Sequence, residues 1–326
     1  MLAYALRRFL ISVPILIAST FVVFLMASLS GNPLNQLMAK NPPPPPHTIE
    51  LERQRLHLDQ PLLERYWNWL TGIFRGDFGP SVQSTMDIGS EVTSAYLVTL
   101  RLIAAAMLIA LILAVIVGVV SAVKQYSGID YTFTFTGFLF LAMPSFWFAI
   151  LLKEAGISFN NAVGDQVLYT IGDSSVYVSG GAWAQLADTL GHMVLPTISL
   201  ALISFAAWSR FQRGSMLEVL NSDYVRLARA KGLPRGRVMR RHALRTALIP
   251  LATVTALDLG SIISGAVVTE TVFQWRGAGH FLLQAIQRDD VYAITAWLLF
   301  SATIIIVLNL VADLLYGVLD PRIRYA

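Results

Sequence analysis

Not one cysteine occurs among the 326 residues, which removes disulfides, thiolate metal sites and thiol nucleophiles together. Charge is scarce too: Asp, Glu, Lys and Arg make up 13% of the chain, against the roughly 25% usual in soluble domains. The five histidines (His47, His57, His192, His242 and His280) are scattered, with no HExxH and no pair at helical spacing, so no metal centre is expected. There is no GxxxxGK[ST], no GxSxG and no glycine-rich dinucleotide fingerprint. Nucleotide hydrolysis and acyl transfer therefore have no home in this chain, and no catalytic residue is expected. No internal repeat is apparent.

What remains is apolar. Hydrophobic residues reach 55% and mean hydropathy is +0.60, the balance of a membrane protein. A bilayer core about 30 Å thick requires roughly 20 apolar residues per helical span. Six stretches qualify: Phe9 to Leu29, Leu97 to Val123, Phe133 to Leu152, Leu190 to Trp208, Ala247 to Thr269 and Tyr292 to Leu315. Pro144 and Pro196 interrupt the third and fourth, which neighbouring helices can tolerate. The expected fold is an all-α polytopic membrane protein. Arg7 and Arg8 before the first apolar run, with Met26-Ala27-Ser28 as a passable cleavage site, also suit a secretory signal, but the run is long for one and an uncleaved span is expected.

Charge asymmetry orients the spans. The N-terminus, the loop at Lys124, residues 210–246 and the C-terminus carry 15 of the 24 Lys and Arg; the alternate segments carry nine, with 14 of the 20 acids. Positive-inside places both termini and the basic stretch in the cytoplasm. The segments expected are thus 1–29 for the first span, 30–96 outside, 97–317 as a five-helix core with a cytoplasmic loop at 211–246, and a tail at 318–326. Outside, Pro42 to Pro46 read as a polyproline spacer. "LDQPLLERYWNWLTGIFRGDFG" (58–79) reads as a short amphipathic helix at the outer leaflet or capping the spans. Residues 153–188, rich in Gly, Ser, Asn and Asp, are expected to lack regular structure.

Acids within or beside spans are functional candidates, because burying an unpaired charge in lipid is costly. Asp258 falls mid-span in the fifth stretch, where it either lines a polar translocation path or pairs with a neighbour such as Asn309. Glu270 and Asp313 lie nearer the interfaces. In "GSIISGAVV" (260–268), Gly260, Ser261, Ser264 and Gly265 have the spacing of close helix packing. An ion-coupled secondary transporter using Asp258 and Asp313 is the alternative function these acids suggest.

The stretch "ARAKGLPRGRVMRRHALR" (228–245) holds seven Lys and Arg with His242 and no acid. Alone it suggests nucleic acid; between two spans it instead suits anionic lipid or a docking partner. Ser222 or Asp223 is placed to cap a short helix running to Lys231, with Gly232 as its stop. Pro234 then opens a second helix, on which Arg237, Arg241 and Arg245 share one face and Val238, Met239, Ala243, Leu244 and Leu248 form much of the other.

At these residues the chain resembles the integral-membrane permeases of ABC importers, in the dipeptide, oligopeptide and nickel subgroup. The family's EAA–three–Gly–nine–IxLP signature falls on Arg226-Leu227-Ala228, Gly232 and His242-Ala243-Leu244-Arg245, matching at Ala228, Gly232 and Leu244. "DYVRLARAKGL" with "RHALRTALIP" is similar to the peptide-permease version. So are the 58–79 stretch, "HMVLPTISLAL", "ETVFQWRGAGHFLLQAI" and "LDPRIR". Residues 153–188 depart from the family's more apolar pattern. The resemblance implies a type I importer fold and a subunit in a bacterial or archaeal plasma membrane. Its implied partners are a second homologous permease, an extracytoplasmic solute-binding protein, and two P-loop ATPase subunits or one fused ATPase that bind ATP and Mg. It also implies ATPase coupling through Asp223, Tyr224, Arg226, Ala228, Ala230, Lys231 and Gly232, and a path touching Asp258, Ser261 and Glu270. Nucleic acid is not among the implied partners.

Overall fold

A computed structural model describes residues 2–319, except for the side chains of 2–6, 8, 9, 259 and 312–319. Asp313 and the closing "LDPRIR" thus lie outside the described side chains. Among the described residues every regular element is a helix. The N-terminal third forms α1 (Leu2–Ser30), α2 (Asn35–Met38), α3 (Pro46–Arg55) and α4 (Leu62–Gly72). Then come α5 (Ile88–Val123), α6 (Gly128–Ala142), α7 (Ser145–Val163), α8 (Ala182–Leu220) and the short α9 (Asp223–Ala230). α10 (Arg235–Arg237) leads through a π-helical segment (Val238–Leu244) into α11 (Arg245–Leu257), followed by α12 (Leu259–Phe273), α13 (Ala278–Gln287) and α14 (Val291–Leu319).

Four of these helices, α1, α5, α8 and α14, are long and apolar enough to cross a bilayer unaided. Two bent pairs complete the expected six: α6 with α7, at 107°, and the helix through α11 with α12, at 58°. The third expected span is therefore not one straight helix. Met143, held extended (ψ 131°) by the proline after it, leaves the α region, and Pro144 restarts the chain as the N-cap of α7. Pro196, expected to interrupt the fourth span, does not: it lies buried inside the 39-residue α8, whose neighbours hold the helix together. The segment 153–188 also departs from expectation. Its first eleven residues belong to α7 and its last seven to α8, leaving a loop at 164–181.

The structure divides into two compact units. One comprises, among the described residues, 2–99 and 276–307. Its core gathers Phe24 of α1, Tyr66 and Trp69 of α4, Val92 and Tyr96 of α5, and Tyr292 of α14. The Tyr66 hydroxyl donates to the Ile17 carbonyl at 2.9 Å and lies 2.9 Å from Thr20 Oγ1, so α4 lies alongside α1. The amphipathic helix expected in 58–79 is α4: Leu62, Tyr66, Trp69 and Ile73 turn inward, whereas Leu63, Trp67 and Phe74 stay exposed. The polyproline spacer is shorter than expected, because Pro46 already opens α3. Arg55 pairs with Glu52 (Nε to Oε2, 2.9 Å), holding that carboxyl below its ordinary value, and also donates to the Ser81 carbonyl at 2.8 Å. Buried Asp290 caps α14 through the Ala293 amide and receives Ser81 Oγ at 2.6 Å and the Val82 amide at 2.9 Å.

The other unit comprises, among the described residues, 100–275 and 308–319. Here α6, α7, α11 and α12 all pack on α8. A Cβ on Gly118 would meet Gln212 Cβ at 2.7 Å and the Ser209 carbonyl at 2.9 Å, so only glycine lets α5 approach α8 this closely. The loop 164–181 is tied down: Arg101 reaches Asp173 at 3.3 Å, Asp188 accepts from Ser175 Oγ at 2.6 Å, and Tyr169 stacks on His192 at 4.0 Å.

Candidate functional site: a short helix seated on the ends of the spans

α9 has eight residues, too few to be stable alone, so its existence rests on packing. Val225 and Ala228, three residues apart, share its buried face. They meet Ala122 at the end of α5, Met216 on the last turns of α8, and Val238, Ala243 and Ala247 from the helix that follows. Burying one Val completely contributes roughly 1.5–3 kcal/mol, ample to hold an element this small.

Both termini are defined by the sequence, though not in every expected detail. Ser222 is the N-cap by backbone: its carbonyl accepts from Arg226 N at 3.1 Å. Its hydroxyl does not cap, donating instead to the Val219 carbonyl at 2.5 Å. Asp223 sits in the first turn and pairs with Arg226 on the exposed surface. At the other end Gly232 has φ +77°, a left-handed conformation that glycine adopts without strain. Its amide donates to the Arg229 carbonyl at 2.9 Å and the Leu233 amide to the Ala228 carbonyl at 3.4 Å, the two bonds of a Schellman stop. Leu233 packs on the same cluster as Ala228, which completes the motif.

Pro234 is the N-cap of the next helix, one residue earlier than the first-turn place expected, and helix begins at Arg235. The π-helical segment then changes the register. Val238 and Ala243, five apart, share the buried face, and Ala247 and Leu251 continue it at intervals of four. Arg235, Arg237, Arg240, Arg241 and Arg245 are all exposed.

Of the residues expected to couple to an ATPase, Asp223, Tyr224, Arg226, Ala230, Lys231 and Gly232 are exposed together on and just beyond α9, and Ala228 alone is buried. Exposed Leu227, 56% accessible and not among the expected coupling residues, joins Tyr224, 43% accessible, to make an apolar contact surface.

Beneath α9 lies a polar joint. Arg213 of α8 makes a two-pronged pair with Asp130 of α6, both nitrogen–oxygen distances being 2.8 Å. Ser121 of α5 donates to the same carboxylate, and the Tyr126 amide adds a bond at 3.0 Å. Asp130 is 2% accessible. Ser121 adjoins Ala122, and Met216 lies three residues beyond Arg213, so the seat of α9 and the joint are built from the same helix ends. One sequence signal pointed here: Ser127-x-x-Asp130 has capping-box spacing, and the Asp130 amide does donate to Ser127 Oγ at 3.3 Å.

The expected path residues do not form one group. Asp258 stands at the 58° bend between α11 and α12 and accepts a 2.7 Å hydrogen bond from Nε1 of fully buried Trp208 on α8, the partner the structure supplies where Asn309 was suggested. Ser261 is exposed, one turn on, whereas Glu270 is fully buried. Nor do the small residues pack as expected: Ser261 and Ser264 are exposed, Gly260 has open space where a Cβ would lie, and only Gly265 has a neighbour, Leu200 at 3.7 Å. Among the described residues no cluster of metal-ligating side chains occurs.

Two family models cover nearly the whole chain. Residues 1–87 match the N-terminal region of binding-protein-dependent transport system membrane components, and residues 110–325 match the inner membrane component itself. The chain belongs to this family. As a permease of binding-protein-dependent importers, it works with ATPase and binding-protein components. It is 38% identical over 324 residues to the oligopeptide transport system permease protein OppB of Mycobacterium tuberculosis, with 99% of each chain covered. It is 36% identical over 340 residues to the dipeptide transport system permease protein DppB of Escherichia coli, covering 100% of this chain and 99% of the relative. Against the oligopeptide transport system permease protein AppB of Bacillus subtilis, identity is 36% over 334 residues and both chains are covered completely. A solved structure of the methionine ABC transporter MetNI, inward facing, shares the permease fold at TM-score 0.54 and 13% identity, covering 70% of this chain and 96% of that one. The alternative of an ion-coupled transporter finds no support in these relatives.

Proposed function

We propose that this permease carries oligopeptides or dipeptides into the cell, driven by ATP that partner subunits bind with Mg and hydrolyse. The observation that carries the mechanism is α9: one face is sealed into the ends of α5, α8 and the following helix, and the opposite face offers Tyr224 and Leu227 to a partner. The full-length similarity to peptide permeases supports the substrate class. In this reading both termini and the basic loop are cytoplasmic, and α9 sits in a groove of an ATPase. A second, similar permease completes the path.

Closure of the ATPases on ATP displaces α9, and Val225 and Ala228 pass that displacement to Ala122 and Met216. The Arg213–Asp130–Ser121 joint makes α5, α6 and α8 move together rather than slide. The bend at Asp258 is the place where α11 and α12 can change angle while Trp208 keeps its acceptor. Ser261 and Ser264, exposed on α12, face the second permease or the solute path. The test is ATP-dependent uptake of a labelled tripeptide by the reconstituted complex. Leu227→Asp is expected to abolish uptake and ATPase association while thermal stability is retained; undiminished uptake would refute the coupling role.

A further inference from the structure

Arg65, on α4, is 8% accessible, and among the described residues it forms no ion pair with a carboxylate. Its guanidinium instead lies 5.6 Å from the ring centre of Phe24 and 5.7 Å from that of Tyr292, whose hydroxyl it also approaches. Aromatic faces offset part of the cost of burying a cation, but buried charges are ordinarily matched by an opposite charge. Arg65 lines a cavity of about 280 Å³ together with Ser28, Asn32 and Arg53. That lining holds two guanidinium groups and no carboxylate, although Arg53 Nε lies 3.8 Å from Glu50 on the exposed side. Arg65 Nε and Ser28 Oγ are both enclosed without a hydrogen-bond acceptor.

Three acids lie nearby, and two of them accept hydrogen bonds from other groups. Asp77 lines a separate cavity of about 70 Å³ that Arg65 also borders, but it accepts from the Gly79 amide at 2.9 Å. Asp290 has both oxygens occupied, by Ser81, Val82 and Ala293. The Asp289 carboxylate lies against Gly31 in the cavity wall and, with Asp290, borders a further small cavity that Arg65 also lines.

We infer that the cavity between the end of α1, α3 and α4 is a binding site for a small oxyanion, a carboxylate or phosphate, with Arg65 as its buried counter-charge and Arg53 at its rim. Two donors of fixed position on a guanidinium match such an anion geometrically. Two sources supply this chemistry, a soluble solute and a phospholipid headgroup. The inference does not depend on which solute the permease carries.

The test uses the full transporter complex, without its binding protein, in phosphatidylcholine nanodiscs. Thermal shift and calorimetry follow titration with inorganic phosphate, with the dipeptide Ala-Ala and with its C-terminal amide; a parallel preparation uses phosphatidylglycerol nanodiscs. Stabilisation by phosphate or Ala-Ala but not by the amide assigns a soluble anion, and stabilisation only in phosphatidylglycerol assigns a lipid headgroup. In either case Arg65→Gln and the half-exposed Arg53→Gln each weaken the effect about tenfold, whereas Arg65→Lys retains part of it. Because Arg53 is at the surface, its variant keeps the test valid if Arg65→Gln misfolds. No anion effect in the wild type, or an effect of equal size in Arg53→Gln, overturns the inference.

Discussion

Single residues carry the permease's most demanding electrostatics. Asp130 is enclosed and satisfied by Arg213, Ser121 and the Tyr126 amide, so removing either charge of the pair strands the other. Asp130→Asn or Arg213→Met is expected to lower stability by about 3 kcal/mol, read as a fall in the thermal midpoint of the purified complex. The double replacement should cost less than the two singles added, because they share one interaction. Asp258 gives a discriminating case. Asp258→Asn keeps an oxygen for the Trp208 indole and is expected to leave uptake within about twofold of wild type, whereas Asp258→Leu leaves a buried donor unpaired at about 1–3 kcal/mol. Loss of uptake in Asp258→Asn would restore the case for a proton carrier. Neither long-range partner was visible from local sequence: Arg213 and Asp130 are 83 residues apart, and Trp208 and Asp258 are 50 apart.

At the scale of elements, α9 was legible because its signals are local: a capping residue and acid at Ser222-Asp223 and glycine where a left-handed stop is needed. Gly232→Val adds no clash, since nothing lies within 4 Å of its added Cβ, but forces a branched residue to φ +77°. The cost is about 1–2 kcal/mol, and the expected result is weakened ATPase association with the spans still inserted. Val225→Asp should do more, unseating α9 from its cluster and lowering the thermal midpoint, whereas Leu227→Asp should leave the midpoint unchanged. The spans were legible from hydropathy, but their breaks were not. Pro144 and Pro196 look alike in sequence, yet one ends a helix and the other sits buried within one, because continuity depends on neighbours that satisfy or fail to satisfy the freed backbone. The π-helical shift that puts Val238 and Ala243 on one face likewise leaves no mark in a pattern read at 3.6 residues per turn.

For the molecule as a whole, function follows from what the chain has and lacks: spans enough to line a path, no nucleotide site, and an exposed helix rigidly seated on the span ends. In the reading proposed here, energy enters mechanically, through α9. Deleting Asp223 to Gly232 in the reconstituted permease–ATPase–binding-protein complex tests this most directly, with ATP hydrolysis and labelled-tripeptide uptake measured together. Abolished uptake, with hydrolysis no longer stimulated by the binding protein and the spans still inserted, is the result expected. Uptake and stimulated hydrolysis that persist at wild-type rates would contradict it.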